Sequence, residues 1–112
     1  MSDIIVTVPR KEVANFWAEG PADAVEWWTL PQAPKRLTWG DYIYFIVNGE
    51  VAARARVAVT AQDVRICEAT GRRWGGCHVQ WRARDFEELP RPRQSHPGFR
   101  GFRYYDGVEA QK

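Results

Sequence analysis

Apolar and polar positions along this chain alternate with period two in several short runs and recur at helical spacing in one. Asp3 to Val8 is short and β-branched and ends at Pro9, which predicts a first strand. Pro9 suits the first turn of a helix. Val13, Phe16 and Trp17 then follow at helical spacing up to Gly20, so a helix is predicted over Arg10 to Glu19 with those three side chains facing the core. Gly40-Asp41 is a turn: glycine reaches backbone angles closed to bulky residues, and Asp41 can bond its own turn. Tyr42 to Ile46 and Val51 to Thr60 form a hairpin about Asn48-Gly49.

The register of that hairpin can be argued. Ile43 and Phe45 share one face. Val51, Ala53, Ala55, Val57 and Val59 share another, opposite Arg54 and Arg56. A two-residue loop would pair Phe45 with Ala52 and Ile43 with Arg54, which mixes core with surface. A three-residue loop, Val47 to Gly49, pairs Phe45 with Val51 and Ile43 with Ala53, with Gly49 in a left-handed bulge. The three-residue loop is the expectation.

Beyond the hairpin, Arg65 to Gly76 is polar and glycine-marked, a loop or hairpin tip. Cys77 to Ala83 alternates, with Val79, Trp81 and Ala83 opposite His78, Gln80, Arg82 and Arg84. Pro90 to Pro97 reads as an extended connector, and Gly98 to Tyr105 as a last strand. Residues 24–30 are ambiguous: Pro21-Ala22-Asp23 can open a helix, whereas Val25, Trp27, Trp28, Thr29 and Leu30 favour a strand by propensity. The fold class expected is α+β, mainly β: a small barrel with one main N-terminal helix.

Length bounds this picture. The 112 residues suit one domain, with a core expected over about residues 4–106. No run approaches the ~20 apolar residues of a membrane span, and no signal-peptide pattern opens the chain, so a cytoplasmic protein is expected. Cys67, Cys77, His78 and His96 match none of the usual zinc spacings. No metal and no cofactor is expected, and the cysteines read as small hydrophobes.

Charge changes the picture more than composition does. The net charge is only +2, yet residues 1–53 sum to −3, residues 54–103 to +6 and the tail to −1. The basic residues are 13 arginines and 3 lysines. Arginine offers a planar fork for phosphate and a face that stacks on bases. A basic half beside an acidic half suits an anionic partner approached from one side. A genome rich in G and C explains an arginine bias equally well, but not its segregation.

The run Lys35-Arg36-Leu37-Thr38-Trp39-Gly40-Asp41-Tyr42-Ile43-Tyr44-Phe45 resembles the strand-opening basic-x-x-Gly-Asp-x-hydrophobic wording of the PUA-like superfamily, in particular its ASCH and EVE branches. Gly98-Phe-Arg-Gly-Phe-Arg-Tyr-Tyr is similar to C-terminal words of the same group. The resemblance implies a small PUA-like β-barrel, a strand at residues 24–30, and binding of RNA or a modified nucleobase. It also implies a test for catalysis. ASCH-type amidohydrolases carry Gly-x-Lys-x-x-x-Glu-x-Arg wording after the first helix, and here Gly20 and Glu26 match while the lysine and arginine are missing.

Three functions follow as expectations. The first is non-catalytic recognition of nucleic acid, RNA favoured, through an aromatic pocket at Trp28 and Trp39, with Trp74 a further candidate ring. Lys35 and Arg36 approach it, Arg54 and Arg56 neutralise phosphates, and Arg82 with Arg84 would extend the same face if their strands are neighbours. Alternation alone also gives a solvated outer face, and a small barrel needs bulky core rings; both alternatives stay open. The second function is a small hydrolase on a nucleoside, amide or RNA, with Glu26, Lys35 and Thr38 as its polar set. The third is a protein-interaction module whose exposed rings dock a partner or a second copy.

Overall fold

A computed structural model describes residues 3–18, 25–30, 36–37, 40–57, 59–62, 65–66, 73–74 and 77–105. The domain is α+β and mainly strands. The strands are β1 (Ile4–Thr7), β2 (Val25–Leu30), β3 (Tyr42–Val47), β4 (Glu50–Arg56), β5 (Val59–Gln62), β6 (Arg65–Ile66), β7 (Arg73–Trp74), β8 (Cys77–Arg82), β9 (Phe86–Glu88) and β10 (Phe102–Tyr104). They form a five-stranded sheet in the order β10-β1-β3-β4-β9, a three-stranded sheet β2-β8-β5, and a two-stranded β6-β7 ribbon. Among the described residues the two main sheets stay separate and do not close on one another. No helix among them is long and apolar enough to cross a membrane.

The period-two pattern places the core. Ile4 and Val6 on β1, Ile43, Phe45 and Val47 on β3, and Ala53 and Ala55 on β4 turn inward; Leu30 on β2 and Val79 and Trp81 on β8 meet them. Phe45 is fully buried at the centre. Its ring centroid lies 5.3 Å from Trp81, 5.6 Å from Trp28 and 4.8 Å from Phe16. Edge-on and tilted packing of this kind suits the ring quadrupoles. The helix is shorter than the pattern predicts: a 3-10 turn, Arg10–Glu12, follows Pro9 and leads into α1 (Val13–Trp17). Val13, Phe16 and Trp17 do pack on the core, as their spacing predicts.

The hairpin departs from the expectation. Val47 pairs with Glu50 across a two-residue Asn48-Gly49 turn. Asn48 has φ 52° and Gly49 φ 80°, so both central residues are left-handed, as a primed turn requires. The register is rescued by a bulge rather than by a longer loop. Ile46 pairs with Val51 but Phe45 pairs with Ala53, leaving Ala52 as the extra residue. Inward and outward positions are thereby kept on their own faces beyond the bulge. Gly40 takes φ 94°, as its turn predicts, and the Asp41 carbonyl accepts the Val57 amide at 2.8 Å. The apolar run from Val51 to Thr60 is not one strand. It leaves the first sheet after Arg56, and β5 joins the second.

Residues 24–30 settle as strand from Val25 onward, antiparallel to β8. The closing strand is confined to Phe102–Tyr104 and pairs with β1.

Candidate functional site

The outer face of the five-stranded sheet is not an ordinary solvated surface. Paired residues across its strands form two aligned rows. In one, Arg103, Ile5, Tyr44, Arg54 and Glu87 are successive partners from β10 to β9. In the next, Tyr42 pairs with Arg56. That row continues to Asp3, whose Oδ1 accepts the Tyr42 amide at 2.9 Å, and to Tyr105, whose amide donates to the Asp3 carbonyl at 2.9 Å. Side chains two apart on a strand share a face. Tyr42 and Tyr44 therefore project together, opposite the buried Ile43 and Phe45.

Near the hairpin this face is covered. The chain from Leu89 to Gly101 crosses it as a strap. Val51 donates to the Gln94 carbonyl at 2.8 Å, His96 to the Gly49 carbonyl at 2.9 Å, and the Phe99 amide to Thr7 Oγ1 at 3.1 Å. Arg93 fixes the start of the strap through Glu88 at 2.5 Å and the Leu89 carbonyl at 3.0 Å. Ile5, Tyr44, Ile46 and Val51 are sealed beneath as a second small core, with Phe99, Leu89 and Tyr105 beside them. The Tyr42–Arg56 end lies away from the strap: Tyr42 is half-buried and Arg56 exposed.

The two arginines of β4 are held differently. Arg54 forms an ion pair through Nε with Glu87, its Nη1 donates to the Tyr44 hydroxyl at 3.4 Å, and its guanidinium sits 4.3 Å from the Tyr42 ring centroid. Partial burial pulls its pKa down. The hydrogen bonds to Tyr44 and Glu87, with the Glu87 charge, outweigh that and hold it above the usual arginine value. Arg56 donates from Nη2 to the Tyr42 hydroxyl at 2.7 Å and lies 5.1 Å from the same ring centroid. Among the described residues no carboxylate pairs with it. Among the described residues one guanidinium is thus paired with an acid and the other is not. Tyr105, 4.9 Å from Tyr44 ring to ring, has its phenol pKa raised by burial and by the neighbouring Tyr44.

The remaining sequence candidates fall elsewhere. Arg82 and Arg84 are exposed; Arg82 ends β8 in the other sheet and so does not share a sheet face with Arg54 and Arg56, while Arg84 lies in the 3-10 turn Ala83–Asp85 that leads into β9. Alternation assigns a side of a strand, not the sheet it joins, and that is why four guanidiniums on one face is not what forms. Trp28 is half-buried with its ring edge-on to Phe45, a core-packing position. Arg36 stacks 3.9 Å over the exposed Tyr104 ring, and its amide donates to the Tyr104 hydroxyl at 3.1 Å. Trp74 lies on β7. Glu26 lies exposed on β2, whereas Lys35, Thr38 and Trp39 lie outside the described residues, as does Cys67. Among the described residues no cluster of histidine, cysteine or carboxylates could hold a metal.

Sequence reasoning missed Tyr42, Tyr44, Tyr105 and Arg103. The signal for the first two was present: a Tyr-x-Tyr step on the face opposite Ile43 and Phe45, with Arg-x-Arg on the partner strand. Comparison of the chain with protein-family models, with curated proteins and with solved structures finds no match.

Proposed function

We propose that this protein is a non-catalytic nucleic-acid-binding domain whose contact surface is the Tyr42–Arg56 end of the five-stranded sheet. The observation that carries the reading is Arg56: exposed, stacked by Tyr42, and without a carboxylate partner among the described residues. An arginine on an aromatic ring offers both charge and a flat face, the combination that meets phosphate and base together.

The resemblance of the Gly40-Asp41 hairpin to PUA-like proteins supports RNA as the partner. It also supports reading the two packed sheets as a PUA-like barrel. The site differs from the pocket the sequence suggests, because Trp28 packs against Phe45 while the tyrosines of β3 take the outer face.

Filter binding of RNA over a salt series tests the reading. Phosphate neutralisation makes log K fall linearly with log salt. The wild-type protein should bind at low salt with that dependence, and Arg56→Ala should weaken binding and flatten the slope. Retention of no RNA or DNA at low salt would remove the proposal.

A further inference from the structure

The strap over the outer face is fastened separately from the sheets it covers. We infer that residues 90–101 form a latched cover, closed by Arg93 at one end and by the close approach of Gly98 to Thr7 at the other. The cover lifts as one unit while both sheets stay folded, and it gates access to the apolar cluster around Tyr44, independently of what binds the face.

The attachments of the strap carry the inference. It joins the β4 edge at one bridge, Glu50 with Ser95. There the Val51 amide donates to the Gln94 carbonyl at 2.8 Å and the His96 amide to the Gly49 carbonyl at 2.9 Å. It then crosses to β1, where the Phe99 amide donates to Thr7 Oγ1 at 3.1 Å. Continuous ladders, by contrast, hold β3 between β1 and β4. Along the strap Arg93, His96 and Phe99 are half-buried, while Gln94, Ser95, Pro97 and Gly98 between them are exposed. A segment that buries one side chain in three belongs to the low end of local stability, and it regains backbone freedom when it lifts.

Both ends are built for closure. The Arg93 side chain is only 7% exposed, and it donates from Nε to the Leu89 carbonyl and from Nη2 to the Glu88 carboxylate. These bonds turn the chain back on the end of β9 and set the direction in which the strap leaves it. At the far end a Cβ on Gly98 would lie 3.2 Å from Thr7 Cγ2. Glycine lets the backbone come this near the threonine whose hydroxyl takes the Phe99 amide. Beneath the cover Ile5, Tyr44, Ile46 and Val51 are buried, with Leu89 and Phe99 packed against them. The Tyr44 ring lies 6.1 Å from that of Tyr42. The closed cover therefore confines contact with the outer face to its Tyr42 end, and lifting extends that face toward the hairpin.

Native-state hydrogen exchange of the full chain, followed by NMR, tests this. The amides of Val51, His96 and Phe99 should exchange through one common opening, well before the Val57 amide, which is held by the Asp41 carbonyl inside the fold. Arg93→Met keeps the apolar stem and removes the donors. It should speed exchange at all three amides about tenfold, the scale of one hydrogen bond to a charged group, and leave Val57 unchanged. Gly98→Ala, at the opposite end, should speed the same three. Acceleration confined to Val51 and His96 in Arg93→Met, and to Phe99 in Gly98→Ala, overturns the single unit. Exchange of the three amides only together with Val57, in the wild type or in either variant, overturns the cover.

Discussion

If the Tyr42–Arg56 end binds nucleic acid as proposed, Glu87, the acid paired with Arg54, withholds that guanidinium from phosphate, so Glu87→Gln should have opposite effects on folding and on binding. Glutamine keeps the length of the side chain and can still accept the Arg54 Nε–H through its carbonyl, but the charge is gone. The pair is partly solvated, with side chains 30% and 52% exposed for Arg54 and Glu87. Solvent-screened pairs contribute at most about 1 kcal/mol, so the loss of stability should stay within ~1 kcal/mol. Binding should move the other way. Arg54 remains charged, and one more cation faces the ligand beside Arg56. One extra phosphate contact on a single strand steepens the slope of log K against log salt by ~0.7, which is about a fivefold gain for each tenfold drop in salt. Anisotropy titrations of wild type and Glu87→Gln at several salt concentrations read both numbers. The gain should vanish when Glu87→Gln is made in an Arg54→Ala background, because then no guanidinium is released. Unchanged affinity and slope in a folded Glu87→Gln protein would refute the division of roles between Arg54 and Arg56. So would a gain that persists without Arg54.

Three further outcomes test the frame that holds this face. Phe45→Ala removes the ring shared by Phe16, Trp28 and Trp81 and should cost about 3–5 kcal/mol in urea unfolding; a loss below ~1 kcal/mol would mean the two sheets do not depend on it. Gly49→Ala meets no neighbouring atom, so its cost is the left-handed backbone alone, ~1–2 kcal/mol, and a neutral result would argue against the primed turn. Tyr105 has a raised folded pKa, so its contribution is intact below the ordinary tyrosine value near ~10 and is lost as pH rises through the higher folded value. Stability measured across that alkaline range should fall more steeply for the wild type than for Tyr105→Phe, and parallel curves would contradict the burial of that phenol.

Much of the frame was legible because strand alternation is a local property. Ile43 and Phe45 inside, Arg54 and Arg56 outside, and Val79 with Trp81 inside all follow from period two, and the structure places them so. What failed needed information that alternation lacks. Ala52 and Ala53 are both small and apolar, so nothing in the sequence marks which of them is the bulge. The pattern therefore predicts a three-residue loop where a two-residue turn forms, although Gly49 is left-handed as the pattern predicts. The run through Val57 looks like one strand, yet the Asp41 carbonyl takes the Val57 amide and the chain crosses to the other sheet, a contact between distant segments. The same crossing separates Arg82 from Arg54. The six tryptophans dominate the aromatic content of the sequence, yet Trp28 packs on the core while Tyr42 and Tyr44 lie on the outer face of the sheet.

An oligonucleotide bound as proposed touches the Tyr42–Arg56 end of the five-stranded sheet. Backbone amide shifts of the isotopically labelled protein, followed by NMR while a short oligouridine is added, measure that directly. The largest changes should fall on Tyr42, Tyr44, Arg54, Arg56 and Tyr105, with Arg82 unmoved. Changes centred on the β2-β8-β5 sheet, or no changes at low salt, would contradict it.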